Sequence, residues 1–170
     1  MKKLIVLPLA VFMSLGVFGL AASGDTFAGS TGEMEAQVLR SPSIHLSSAA
    51  RADVERGLID SRVLRVLLII SQRHSFRVGP FMTGHSFYVA GTRRPSNHSF
   101  GRAVDIAVVD GAAVSESNRA AFDVVTLVLS LPPDLRPDEV GSPWDLPDRG
   151  SFSDSMHKNH VHLGTREAKS

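Results

Sequence analysis

Histidines are unevenly spread along this sequence, and imidazole both binds metal ions and transfers protons near neutral pH. Three of the seven histidines, His157, His160 and His162, fall within residues 156–162. Another, His98, stands seven residues before Asp105. Two imidazoles and one carboxylate make a three-ligand site with an open coordination position, which is how catalytic zinc is generally held. The spacing therefore predicts a metal site built from two distant segments.

The predicted strands explain how these side chains come to face one way. His160 and His162 are two residues apart on a predicted strand, so they point in the same direction with α-carbons about 6.6 Å apart. Alternation likewise places Asp105 on one strand face with two very small residues, which leaves open space beside the carboxylate. His98, in a loop rich in Ser and Asn, can fold back over that space. The imidazole that is not a ligand is then free to accept a proton.

Both segments resemble signatures of one metallopeptidase superfamily. Residues 96–105 resemble the Ser-x-His-x-x-Gly-x-Ala-x-Asp signature of the zinc D-Ala-D-Ala carboxypeptidases. His160-x-His162 resembles the second signature of the wider superfamily, which also includes lysostaphin-type endopeptidases and the hedgehog signalling domain. The resemblance implies zinc bound by His98, Asp105 and His162, with His160 as the non-ligand histidine near the metal. It also implies hydrolysis of peptide bonds in bacterial cell-wall stem peptides.

Two departures from the family pattern concern the catalytic base and a substrate-binding arginine. Many of these carboxypeptidases have a glutamate base three residues before the last zinc histidine, where this chain has Asn159. An amide cannot take up a proton at neutral pH, so the base is expected to be His160 or His157. His157 otherwise supports the ligands from behind or faces solvent. The Ser-Gly-Tyr-Arg run of many relatives is matched here by residues 83–86, which contain no arginine.

Other residues near the first motif are candidates for contacts with substrate or with the ligands. Arg93 and Arg94 precede His98 by five and four residues, and they either bind a substrate carboxylate or are solvated loop cations. His85 either lines the cleft or makes a hydrogen bond within a turn. Ser96 either orients His98 or caps its loop.

The elements that would position these residues are two helices and several short strands. An apolar segment capped by Asp60 or Ser61, and a second over about 117–130, predict largely buried helices. Strands are predicted at 76–78, continued by 81–83, and at 102–109, 138–142 and 160–164. We therefore predict an α+β fold, with two main helices packed on a small antiparallel sheet and a zinc site in a cleft on the sheet.

The chain divides into four predicted regions. Residues 1–23 have a basic tip, an apolar run and small residues at the end, which is typical of a cleaved signal peptide or, alternatively, of an uncleaved anchor. Residues 24–49 are predicted as a flexible linker, 50–166 as a zinc metallopeptidase-like domain and 167–170 as a tail. The domain is thus expected outside the cytoplasm, in the cell envelope or secreted.

Composition narrows the class of protein and its partners. The 170 residues are 43% hydrophobic, enough for one domain with a real core, and contain no cysteine, so no disulfide can form. The formal net charge is +1, and it is near neutral without the leader, so nucleic acid is not expected as a partner. We expect a monomer that meets the membrane only through an uncleaved leader.

These observations predict a zinc-dependent peptidase that acts on peptidoglycan stem peptides, as a carboxypeptidase or an endopeptidase. The alternative is a non-catalytic, zinc-stabilised module that binds the cell wall or another ligand. The amide at Asn159 and the missing Tyr-Arg pair favour that alternative.

Overall fold

The computed structural model describes residues 29–167, which form four helices and seven strands. The predicted leader and residues 168–170 of the predicted tail lie outside the described residues. No helix within 29–167 has the length and apolar character needed to cross a bilayer. The elements are, in chain order, α1 (Thr31–Arg40), β1 (Ile44–Leu46), α2 (Ser48–Glu55), α3 (Ser61–Ser71), β2 (Phe76–Val78), a 3₁₀ helix (Asn97–Phe100), β3 (Ala103–Val109), β4 (Ala112–Ala113), α4 (Arg119–Leu129), β5 (Glu139–Gly141), β6 (Ser151–Phe152) and β7 (Val161–Gly164).

The strands form one open sheet in the order β1-β2-β3-β7-β5-β6, with β4 paired to β3. The α+β class is confirmed, but the sheet is mixed rather than antiparallel, because β1 pairs in parallel with β2 and β5 with β6. Parallel neighbours need a crossover connection, and α2 and α3 provide it between β1 and β2. The predicted antiparallel sheet was wrong because it left out β1 and β6.

The two predicted main helices are α3 and α4. Asp60 is the N-cap of α3, where its carboxylate accepts a hydrogen bond from the Arg62 backbone N–H at 2.9 Å. Asn118 caps α4 by accepting from the Ala121 N–H at 3.0 Å. A short polar side chain in this position satisfies one of the backbone donors that the first helical turn leaves free.

Two further helices, α1 and α2, correct the expectation of only two main helices. With β1 they occupy most of the segment for which the sequence predicts a flexible linker. Ser30 and Glu33 form a capping box at the start of α1, and Met34 and Val38 pack into the core. The folded region therefore extends back at least to Thr31, because the serines there act as helix caps rather than linker residues.

The core lies between one face of the sheet and the helices. Val104 and Ile106 of β3 and Val161 and Leu163 of β7 are buried in the same cluster as the apolar residues of α1, α3 and α4. Successive side chains of a strand point to opposite faces. Asp105 lies between the two buried residues of β3, and His162 lies between those of β7. Both side chains therefore project from the sheet face that turns away from the helices.

Candidate metal centre

The site is built around a cross-strand pair at the centre of the sheet. Asp105 of β3 lies directly opposite His162 of the antiparallel β7, and Gly141 of β5 is the next residue in the same row. Asp105 Oδ1 is 3.1 Å from His162 Nδ1. Directly opposed residues of an antiparallel pair have close side chains, so the strand register itself brings these two groups together.

A short 3₁₀ helix brings His98 to this pair. Ser96 caps the helix by accepting a hydrogen bond from the His98 N–H at 3.3 Å, as one of the sequence alternatives expects. Gly101 ends it with φ of +65°, and a Cβ there would overlap the Leu58 carbonyl oxygen, so only glycine fits. His98 Nε2 thereby lies 3.3 Å from Asp105 Oδ1, and it is 3.2 Å from the Nδ1 of His162.

A backbone carbonyl determines which nitrogen of His98 faces the site. His98 Nδ1 lies 2.6 Å from the Phe81 carbonyl oxygen. A carbonyl oxygen can only accept, so Nδ1 carries the proton and Nε2 presents its lone pair to Asp105 and His162. A metal-binding histidine characteristically has its other ring nitrogen tied in this way.

The segment that supplies this carbonyl is a turn held by Asp53. Residues 81–83 were predicted to continue the sheet, but they leave it after β2. The fully buried Asp53 carboxylate accepts hydrogen bonds from Met82 N at 3.2 Å, from Thr83 N at 2.8 Å and from Thr83 Oγ1 at 2.6 Å. Asp53 thus holds the Phe81 carbonyl, and through it His98, although no sequence motif points to Asp53.

Glu139 is a second functional residue that the sequence reasoning missed. It lies on β5, and its Oε2 is 3.6 Å from His162 Nε2 and 2.9 Å from the Asn97 Nδ2 that donates to it. Contact with His162 lowers the pKa of Glu139, with help from Asn97, to about 2 despite partial burial. A carboxylate behind a metal-binding imidazole raises its basicity and orients its ring.

The electrostatics of the metal-free site follow from this crowding. Burial raises the pKa of Asp105, but the hydrogen bond from His162 and the positive charge of that ring outweigh it and hold that pKa far below its usual range. Burial lowers the pKa of His162, yet the carboxylates of Asp105 and Glu139 raise it to about 9. At pH 7 the protonated His162 ring therefore lies between two carboxylates, with Nδ1 toward Asp105 and Nε2 toward Glu139.

His160 lies next to His98, Asp105 and His162 but is farther from Asp105 than the other two histidines are. Its Nε2 is 3.7 Å from Asp105 Oδ1, and its Nδ1 is 2.9 Å from the Asn159 amide oxygen. The amide oxygen accepts from Nδ1–H, which leaves the Nε2 lone pair on the site side. Burial lowers the pKa of His160, so its imidazole is neutral at pH 7. Asn159 therefore orients a base rather than being one.

His157 packs beside the ligands and is fixed by a carboxylate. Its Nδ1 is 2.7 Å from Asp154 Oδ1, and its ring centroid is 5.0 Å from that of His160. The ring covers Gly141, where a Cβ would come within 2.6 Å of His157 Cδ2. The His157 ring is thus largely buried beside His160, and its role as a support for the metal ligands stays a prediction.

His85 contacts the site and also makes a hydrogen bond within its turn, so both sequence alternatives describe it. Its ring stacks on His98, with centroids 3.8 Å apart and planes 10° apart. Its Nδ1 is 2.8 Å from the Ser86 carbonyl oxygen, so Nδ1 is the protonated nitrogen. Burial lowers the pKa of His85.

The two candidate arginines are exposed in a hairpin-like loop joined to the 3₁₀ helix. Val89 N–H donates to the Arg94 carbonyl oxygen, and Ser99 Oγ ties the loop to the helix by donating to the Phe87 carbonyl oxygen. The positive charge of Arg94 contributes to the low pKa of Glu139, which places its guanidinium in electrostatic reach of the site. Arg93 is fully on the exposed side of the loop.

The structure therefore has a group of side chains able to hold a metal ion. His85, His98 and Asp105 each offer a ligand atom, and these three atoms lie within 4.8 Å of one another in a partly buried position. His162 Nδ1 is also close to two of these atoms, 3.2 Å from His98 Nε2 and 3.1 Å from Asp105 Oδ1. Comparisons of the chain with models of protein families, with curated proteins and with solved structures found no match.

Proposed function

We propose that this protein is a zinc-dependent hydrolase of peptide bonds in peptidoglycan stem peptides. The supporting observation is the triangle formed by His98 Nε2, Asp105 Oδ1 and His162 Nδ1, whose edges are 3.1, 3.2 and 3.3 Å. Tetrahedral zinc with bonds of about 2.0–2.1 Å needs ligand atoms about 3.3 Å apart. The triangle has the dimensions of one face of such a tetrahedron.

The ring orientations favour His162 over His85 as the third ligand. An imidazole binds a metal along the lone pair in its ring plane. Because the rings of His85 and His98 are nearly parallel and stacked with centroids 3.8 Å apart, their in-plane lone pairs lie in separate, nearly parallel planes and do not converge on one ion. The rings of His98 and His162 are inclined by 49°, and their facing nitrogens are close together. We assign His85 to packing against the ligand His98.

The catalytic assignment follows from the proton positions. When bound, zinc lowers the pKa of a coordinated water to about 7 and polarises a carbonyl group. His160 Nε2, neutral and held toward the site by Asn159, accepts the proton of the attacking water. The protonated His160 then donates that proton to the leaving amine. The Phe81 carbonyl keeps His98 in the tautomer that binds metal, and the nearby Glu139 carboxylate favours a proton on Nε2 of His162.

The substrate class is inferred from the two motifs and from Arg94. The resemblance of residues 96–105 and of His160-x-His162 to zinc carboxypeptidase signatures favours cell-wall stem peptides as substrates. Arg94 offers a guanidinium on the loop next to the ligand His98, suited to a substrate carboxylate. Arg93, which is exposed on the same loop, is the second choice for this role.

The experiment measures metal content and hydrolysis together. Purified wild-type protein should contain one zinc ion per chain and release D-alanine or a new amine from defined stem peptides. His162→Ala should lose both. The matched control is His45→Ala, because His45 is exposed on β1 and bonds only Ser75.

Two outcomes would contradict the proposal in different ways. Stoichiometric zinc with binding but no product would favour the non-catalytic zinc-stabilised module. Full hydrolysis by His162→Ala would show that the proposed ligand set is wrong.

A further inference from the structure

A groove lies beside the 3₁₀ helix that carries His98 and is bordered by Phe100 of that helix. It has a volume of about 490 Å³ and is lined by Gly57–Asp60, Phe100, Arg102 and Glu167. Small-molecule sites typically have volumes of about 300–1,000 Å³. The groove is separate from the proposed zinc ligands, none of which lines it.

The groove has an aromatic wall that is unusually open to solvent. Phe100 is 49% exposed, although it sits on an ordered helix between the buried His98 and the conformationally restricted Gly101. The Arg102 guanidinium lies 4.5 Å from the centroid of the Phe100 ring. An exposed phenyl ring offers a flat apolar surface on which a ligand can pack.

The polar groups of the groove are incompletely satisfied and balanced in charge. Arg102 Nε is buried without a hydrogen-bond partner among residues 29–167, and Arg102 Nη1 is 3.7 Å from the largely exposed Glu167. Asp60 is ion-paired with Arg62 at 2.7 Å. The lining has two acids and one arginine, and Arg62, which does not line the groove, pairs with one of the acids, so the groove has no excess positive charge to select a polyanion. It offers hydrogen-bond donors, acceptors and an aromatic face to a neutral ligand.

We propose that this groove binds the glycan strand of peptidoglycan. A pyranose ring has a C–H face that packs on the electron-rich face of an aromatic ring, and hydroxyl and acetamido groups that pair with guanidinium and carboxylate groups. This inference rests on the proposed function, because a peptidase of cell-wall peptides would meet glycan beside its site.

The position of the groove along the chain suits a substrate that contains both glycan and peptide. Phe100 is two residues after the ligand His98 on one helix, and Arg102 is three residues before Asp105. Three extended residues span at most about 10 Å, so the backbone of the groove is close to that of the ligands. Glycan bound here would present its attached peptide near His98 and Asp105. The protein would therefore prefer peptides still attached to glycan over free peptides.

The first test measures binding without any hydrolysis. Peptidoglycan glycan strands stripped of stem peptides are titrated into the full-length protein by calorimetry. Phe100→Ala and Arg102→Gln should each weaken binding about tenfold, in line with the loss of one aromatic contact or one charged donor. Tyr88→Ala is the control for Phe100, because Tyr88 is 50% exposed. Arg119→Gln is the control for Arg102, because Arg119 also lies over a phenyl ring, that of Phe122.

The second test compares kcat/KM for a free stem peptide and for the same peptide attached to a disaccharide. Wild type should prefer the attached peptide, and Phe100→Ala should lose this preference while still cleaving the free peptide. Absence of glycan binding by wild type, or equal binding by the groove variants, would overturn the glycan proposal even if zinc and hydrolysis are found. Glycan binding without zinc or hydrolysis would instead count against the peptidase.

Discussion

Asp105 and His162 face each other across the central strands β3 and β7, with Oδ1 and Nδ1 3.1 Å apart. Their contact is a consequence of strand register, and a shift by one residue would turn both side chains into the core. Because the flanking valines, isoleucine and leucine are buried, the hydrophobic core and the metal site enforce the same register. The stability of the fold and the geometry of the site are thus linked through the same four-residue ladder.

His160 is expected to act in proton transfer and not in metal binding. His160→Ala should retain one zinc ion per chain while kcat/KM for a stem peptide falls by a factor on the order of 10² to 10⁴. The physical reason is that His160 Nε2 is 3.7 Å from Asp105 and lies outside the triangle of ligand atoms. Asn159→Ala should give a smaller loss, since it removes only the acceptor that orients His160. Loss of zinc from His160→Ala would make His160 a ligand and refute the assignment.

The metal-free protein is expected to lose stability as pH rises above neutral. His162 has a pKa of about 9 in the metal-free fold, against about 6.5 in an unfolded chain. A raised pKa stabilises the fold fully below pH 6.5, and this contribution disappears as pH rises through 9. Urea unfolding in the presence of a chelator should show a fall of about 3 kcal/mol in the free energy of unfolding over this window.

The same proton opposes metal binding. Zinc must displace the proton from His162, so zinc affinity should increase about tenfold per pH unit below pH 9. Saturating zinc should accordingly remove the alkaline loss of stability, and His162→Asn should lack it from the outset. A metal-free wild type whose stability is constant from pH 6.5 to 9 would disprove the proposed charge arrangement around His162.

Glu139 is expected to strengthen metal binding from behind His162. Glu139→Gln should lower zinc affinity by about 10- to 100-fold, because it removes a negative charge 3.6 Å from His162 Nε2 and so makes the ring less basic. Competition with a chromophoric chelator measures the change. Asp145→Asn is the control, since Asp145 is an exposed acid a few residues after β5. Equal zinc affinity of Glu139→Gln and wild type would show that Glu139 does not support metal binding and only accepts the hydrogen bond from Asn97.

The sequence was sufficient to predict the residues whose identity follows from a local pattern. The capped helix after Asp60, the strand through Asp105 and the approach of His98 to His162 all depend on periodicity or on short motifs. Capping by Ser96 was one of its two predicted roles, and it is a local feature because the capping hydrogen bond spans only two residues. Such features are set by neighbours along the chain, which a single sequence contains.

Tertiary relationships were not predictable from the sequence in the same way. Glu139 reaches His162 only because β7 lies between β3 and β5, a strand order that no local pattern states. The parallel strand β1 was missed because a segment of three residues is too short for alternation of apolar and polar residues to distinguish a strand from a loop. Its Ser-rich surroundings resembled a linker, although Ser30 and Ser47 cap helices that pack on the core.

Asp53 is expected to position His98 through the turn at residues 81–83. Asp53→Asn replaces one of the oxygens that accept from Met82 and Thr83 with an NH₂ group, which should lower the free energy of unfolding by about 2 kcal/mol. Freed from this anchor, the Phe81 carbonyl should hold His98 Nδ1–H less firmly, so zinc affinity should fall about tenfold. Nitrogen NMR of the His98 ring should show a mixture of tautomers in place of one. Arg56→Gln is the control. Arg56 is 57% exposed, and its substitution removes the ion pair with Asp53 but leaves the hydrogen bonds from Asp53 to the turn. A destabilised Asp53→Asn with unchanged zinc affinity and a single His98 tautomer would leave Asp53 a purely structural role.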